Sequence, residues 1–182
     1  MNNKKSNHIM LKHCIKDVMI PTWLYEGQSE IDCKYYINKI KENISDKQSY
    51  ATNVSGKMTS WDCFVKDEKF LEFIKNIMPL FVHHTRSTQI ELKEGWGNIL
   101  SPGDYVSNHD HRSAEISGVL YFTEGEPIYF PQYDIHIKPT PGKFLLFHSM
   151  VSHSVPTNQS QQERYSLAFN FYSVFDHGKY TR

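Results

Sequence analysis

Two segments in the first eighty residues carry helical periodicity. In the first, Cys33, Tyr36, Ile37, Ile40 and Ile44 recur at spacings of three and four, which places them on one helix face. Ser29-Glu-Ile-Asp32 precedes them with the form of a capping box, Asp standing in the usual Glu/Gln place. In the second, Phe70, Phe73, Ile74, Ile77 and Met78 repeat the pattern, and Pro79 is expected to close the helix. The polar stretch Ser45–Lys57 between them reads as loop. After residue 80 the period changes. Val119-Leu-Tyr-Phe122 runs into Thr123-Glu-Gly125, Ile128-Tyr-Phe130 into Pro131, and Ile135-His-Ile137 into Pro139-Thr-Pro-Gly142. Phe144-Leu-Leu-Phe147 is wholly apolar, and Tyr165–Tyr172 is rich in aromatics. Short strands punctuated by Gly and Pro predict a β-sandwich or barrel. The expected fold is α+β and mainly β, with N-terminal helices packed outside. One domain over 1–182 is expected, with 1–80 as helical support and 81–182 as the core.

Composition narrows the classes of function. The 182 residues hold 20 Lys plus Arg against 20 Asp plus Glu, a formal net charge of zero. Non-specific nucleic-acid binding and polybasic membrane attachment both need an excess of cations, so neither is expected. Hydrophobic residues at 39% and charged residues at 22% are ordinary globular usage. Cys14, Cys33 and Cys63 form no CxxC and no even disulfide framework, and read as reduced thiols. No apolar run approaches the ~18 residues of a membrane span, and Met1–Asn7 does not have the form of a signal peptide. A cytoplasmic protein is the expectation.

The chain has ten histidines, and the densest chemistry is Asn108-His109-Asp110-His111. On an extended strand positions i and i+2 share a face, so His109 and His111 can meet one metal ion while Asp110 points away. His153, read as the end of the apolar strand, is the best third ligand. Imidazole suits iron, zinc, copper and nickel alike, so the set does not choose its metal. His8, His13, His83, His84 and His177 read as surface or packing residues. His136 is expected to face away from Ile135 and Ile137, and His148 is set aside because its offset of five from His153 is wrong for a shared face. Arg164 follows His153 after a polar turn, and a hairpin is expected to bring it near the site. On its strand Arg164, Ser166, Ala168 and Asn170 share one face. An Arg there needs an anion, and its planar fork suits a carboxylate.

In order, Trp96-Gly-Asn98, Gly103-Asp-Tyr105, His109-Asp-His111, Ser117-Gly-Val-Leu-Tyr-Phe122, Gly142–Phe147, His153-Ser-Val155 and Arg164-Tyr-Ser-Leu-Ala-Phe-Asn170 resemble the iron(II)- and 2-oxoglutarate-dependent oxygenases. Within them they resemble a small uncharacterised phage and bacterial subfamily with an HxH motif. The resemblance spans most of the chain and implies a double-stranded β-helix (jelly-roll) core. It implies Fe(II), 2-oxoglutarate and O2 as cofactor and cosubstrates, and hydroxylation of an unactivated C–H bond. It matches His109 and His153 to the family's two histidine ligands. Arg164 and Ser166 match the pair that holds the far carboxylate of 2-oxoglutarate, and Tyr121 an aromatic beside it.

One departure stands out. The usual carboxylate ligand is absent, since no His-x-Asp or His-x-Glu occurs in the sequence. The third ligand is then either His111 or an Asp110 turned inward by a bulge. Two other readings remain open, a three-histidine cupin-type dioxygenase without cosubstrate and a non-catalytic jelly-roll binding module. The substrate is expected to be a small molecule or a protein residue, contacted by Ser45–Trp61 and Asp104–Asn108. Tyr25, Tyr35, Tyr36 and Tyr50 read as interface or core aromatics, and the oligomeric state is open.

Overall fold

The structure, a computed structural model, describes residues 22–44, 52–82 and 89–174. Cys14, His8, His13, His83, His84, His177, Tyr50, Met1–Asn7 and part of the stretch from Ser45 lie outside the described residues. Ten strands occur, β1 (Leu24–Gln28), β2 (Lys57–Met58), β3 (Ile90–Leu100), β4 (Val106–His109), β5 (Ile116–Tyr121), β6 (Ile128–Phe130), β7 (Ile135–Ile137), β8 (Lys143–His148), β9 (His153–Val155) and β10 (Arg164–Ser173). They form two antiparallel sheets, β1-β8-β5-β10-β3-β2 and β4-β9-β6-β7. Strands β3 to β10 make the double-stranded β-helix expected from the sequence, and β1 and β2 extend the larger sheet at its two ends. The first eighty residues are therefore not purely helical: they contribute β1 and β2 as well as α1 (Cys33–Glu42) and α2 (Glu68–Phe81).

Period-2 alternation on the larger sheet separates two cores. On β10, Tyr165, Leu167, Phe169 and Phe171 pack under the helices, which leaves the even positions facing the smaller sheet. The apolar run on β8 has the same origin. Phe144 and Leu146 join the helix-side core, and Leu145 and Phe147 the core between the sheets, so both faces are buried. Helix α1 lies close on β3: a Cβ at Gly97 would stand 2.3 Å from Ile40, so only glycine admits the contact. Tyr36 stacks on Phe122 with ring centroids 4.9 Å apart, which makes it a core residue. Tyr25 stacks on Phe144 at 5.9 Å and is 38% exposed.

Both helix ends differ from expectation. The N-cap of α1 is Asp32, whose carboxylate accepts from the Tyr35 amide at 3.1 Å. Ser29 instead continues β1, donating its amide to the Gly142 carbonyl at 2.9 Å. Gly142 sits in a turn at φ 82°, where glycine is favoured. Pro79 lies inside α2 rather than closing it. Near a C-terminus it removes a single bond, and Phe81, fully buried against Phe171 at 5.0 Å, holds the last turn in place. Met78 is 37% exposed and falls outside the buried stripe. No helix among the described residues is long and apolar enough to cross a membrane.

Candidate metal centre and its cavity

Three histidines converge between the sheets. His109 is the last residue of β4, and its register partner across the ladder is His153 on β9. His153 therefore belongs to a separate strand of the smaller sheet, not to the end of the apolar strand β8. His111 lies beyond the end of β4, where its amide donates to the Ser149 carbonyl at 2.8 Å. One ring nitrogen from each of His109, His111 and His153 lies within 4.8 Å of the other two. This convergence does not come from a regular strand, because the strand stops at His109. Asp110 stands outside this cluster, both carboxylate oxygens accepting from Arg112 Nε at 2.9 and 3.1 Å.

The rings sit as neutral donors. Burial pushes His153 well below the ordinary imidazole range, with the other two histidines adding to the effect. Burial lowers His109, and burial with the nearby His109 takes His111 down to about 4. A neutral imidazole keeps a lone pair for a metal. Nδ1 of His109 faces the Ser107 carbonyl at 2.8 Å and Nδ1 of His153 the Val151 carbonyl at 3.1 Å. Carbonyls only accept, so in these two rings the proton is on Nδ1 and Nε2 is available, the arrangement metal-binding histidines adopt.

The same cavity, about 560 Å³ counted to its open mouth, is lined by Arg164, Ser166 and Tyr121 as well as the three histidines. Arg164 is 3% exposed, so it is not the solvent-facing strand start that a lone Arg usually is. The expected hairpin does not form: β9 and β10 lie in opposite sheets, and the 156–163 connection crosses between them. The guanidinium still reaches the site, from the facing wall. Its carbon lies 5.1 Å from the Tyr121 ring centroid, and among the described residues it forms no salt bridge. Gly125 makes room for it, since a Cβ there would meet Arg164 Cδ at 2.8 Å. Burial pushes the Tyr121 phenol up to about 12 despite the adjacent positive charge. The Tyr121 hydroxyl has the Arg164 guanidinium as its polar neighbour. Among the described residues, Arg164 Nε, Trp96 Nε1 and Asn98 Oδ1 on this cavity wall are buried without hydrogen-bond partners. Buried polar atoms are rarely left so. A buried cation with an orphaned N–H beside a hydroxyl is the chemistry of an anion site.

His148, set aside on its offset, does stand apart from the cluster, at the end of β8 with Nδ1 accepting from the Met150 amide at 3.2 Å. His136 stacks on Tyr129 with centroids 4.2 Å apart. One residue that bears on the site, Glu94, went unremarked in the sequence, and Ser117 was noted only as part of a matching motif, without a role. Asn170 Nδ2 donates to Glu94 at 2.6 Å, and the Ser117 hydroxyl donates to Asn170 Oδ1 at 2.8 Å. The alternation Glu94, Trp96, Asn98, Leu100 on β3 was the available signal.

Comparison with known proteins agrees with this geometry. A family profile described as "Putative 2OG-Fe(II) oxygenase" matches residues 129–170. No curated protein matches the chain by sequence. Among solved structures, a viral collagen prolyl hydroxylase from Paramecium bursaria Chlorella virus-1, in its 2OG complex, superposes with a TM-score of 0.66 at 15% identity, over 84% of this chain and 97% of that one. A prolyl-4-hydroxylase from Pseudomonas putida gives 0.63 at 16%, over 91% and 100%. HygX from Streptomyces hygroscopicus, with nickel and 2-oxoglutarate bound, gives 0.61 at 11%, over 93% and 88%. At these identities the superpositions establish a shared jelly-roll fold. Together with the profile they uphold the resemblance to the 2-oxoglutarate/iron(II) oxygenases.

Proposed function

We propose that the protein is an Fe(II)- and 2-oxoglutarate-dependent oxygenase that hydroxylates an unactivated C–H bond. One observation carries the reading: a single cavity holds three convergent neutral histidines and a buried arginine with an orphaned N–H. His109, His111 and His153 would hold the metal. Arg164 would take the far carboxylate of 2-oxoglutarate, with Ser166 and the Tyr121 hydroxyl beside it. Bound together there, the iron and the keto acid supply the oxidising chemistry, with O2 as oxidant.

The chain's own residues bind and orient. Three neutral imidazoles leave a divalent metal at formal charge +2, one unit more positive than a set with a carboxylate. Arg164 adds a further positive charge, and a dianion is attracted to both. Val119, Ile128 and Phe147 line the cavity between the polar groups and limit the water that would compete for them. A cosubstrate-free three-histidine dioxygenase would share the ligands but leave Arg164 buried to no purpose.

The test is an anaerobic titration with Fe(II) and then 2-oxoglutarate, watching for the visible charge-transfer band of a chelated keto acid. The band is expected in the wild type and absent in Arg164→Ala. Iron binding without a band would overturn the cosubstrate assignment. Full iron affinity in His153→Ala, where a loss of at least about a hundredfold is expected, would overturn the ligand set.

A further inference from the structure

His111 is held differently from the other two histidines. Among the described residues its Nδ1 faces no carbonyl; it lies 3.5 Å from Asn170 Nδ2. That amide nitrogen is anchored on its other side, where it donates to Glu94 Oε2 at 2.6 Å, and Asn170 Oδ1 accepts from the Ser117 hydroxyl at 2.8 Å. A carboxylate only accepts, so Glu94 fixes which end of the amide faces it and His111. The second N–H of Asn170 is left toward His111 Nδ1, and only a lone pair can meet it.

We infer that Glu94, acting through Asn170, holds His111 in the opposite tautomer from His109 and His153, with its lone pair on Nδ1 and its proton on Nε2. Glu94 is thus a positioning residue, and His111 is a withheld ligand. With Nδ1 turned to Asn170, Nε2 is the nitrogen left for a metal, and to bind through it His111 must lose that proton and carry one on Nδ1 instead. Asn170 must then turn over so that Oδ1 accepts it. Turned over, Oδ1 stands against the Glu94 carboxylate, acceptor against acceptor. The inference rests on the proposed reading of the three histidines as a metal centre and adds to it that the third ligand joins against a restraint. A neutral amide at position 94 lifts the restraint, because it can donate to the turned-over Asn170 oxygen.

Two measurements test this on the full chain. In 15N-resolved NMR of the metal-free protein, His111 is expected as the Nε2–H tautomer and His109 and His153 as Nδ1–H. An Nδ1–H tautomer at His111 would overturn the inference. In a Co(II) titration, Glu94→Gln is expected to bind about tenfold more tightly than wild type, the lower end of what outer partners of metal ligands contribute. The substitution is isosteric and keeps an acceptor for Asn170, so the fold is retained. Simple electrostatics predicts the reverse, since a negative charge near a cation is removed. Weaker or unchanged binding therefore overturns the inference. If neither protein binds Co(II), the metal reading itself fails, while the tautomers still decide whether Glu94 acts on His111 as described.

Discussion

The two sheets that enclose the cavity are built on different scales. The larger supplies β10 and β5, strands of 10 and 6 residues, with their outer faces under the helices. The smaller supplies β4 and β9, of 4 and 3 residues. Arg164, Ser166 and Tyr121 sit on the long strands and the histidines on the short ones or beyond them. A strand anchored on both faces holds a buried, unpaired arginine in place without help from a ligand. Short strands order few backbone bonds, so the geometry of the histidines depends on what they themselves bind. Under the proposed function, the contrast predicts that stability resides in one wall and metal-dependent order in the other.

The largest expected effect tests where stability resides. Phe169 is fully buried and its ring lies 5.5 Å from Phe70 and 6.3 Å from Phe73. Phe169→Ala is expected to cost about 3–5 kcal/mol in urea unfolding. Val155→Ala on β9 loses two buried methyl groups and is expected to cost about 1.5 kcal/mol. Equal costs would break the contrast.

Next is Arg164→Met. It is expected to lower 2-oxoglutarate affinity roughly a hundredfold, the worth of a two-pronged charge-assisted contact. Thermal stability of the metal-free protein should hold or rise, because an unpaired buried charge is gone. A clear drop in Tm would show the arginine to be structural.

A smaller effect concerns pH. His111 is lowered to about 4 by burial and by His109, while the unfolded chain takes up its proton near 6.5. Below that point the unfolded state binds more protons, so stability is lost as pH falls from about 6.5 toward about 4. Denaturation of the metal-free protein across this range should show the loss, and His111→Gln should make it shallower, the remainder coming from His109 and His153, which burial also lowers. An unchanged profile would place His111 in a more solvated setting.

The smallest is Asp110→Asn. The Asp110 side chain is 15% exposed and that of its partner Arg112 78%, so stability should change by no more than about 1 kcal/mol. Co(II) affinity should change little. A collapse of Co(II) binding would make Asp110 a ligand and undo the three-histidine set.

Legibility in the sequence follows the same division. Among the longer elements, α2, β8 and β10 were readable, from the apolar face of α2, the apolar run of β8 and the aromatics of β10, but the longest strand, β3, was not, because Gly95 and Gly97 interrupt its pattern. Strand β6 (Ile128–Phe130) was bounded correctly by Pro131. The polar face Arg164, Ser166, Ala168, Asn170 was visible for the same reason, though not the wall it would form. Strand β4 was too short to declare itself. The His109–His111 pairing was expected from strand alternation, yet the chain brings it about by a bend past the strand end, with Ser149 holding the His111 amide.

By itself, the sequence determined the class of fold, the residues able to carry chemistry, and the absence of an HxD or HxE motif, because each is written in periodicity or residue type. Tertiary structure alone decided that Arg164 faces the histidines across two sheets rather than along a hairpin, that Asp110 pairs with Arg112 outside the cluster, and that Glu94 reaches His111 through Asn170. These depend on which strands become neighbours. Neighbours in a jelly roll are set by sheet crossings that join residues far apart in the chain, and no local pattern records them.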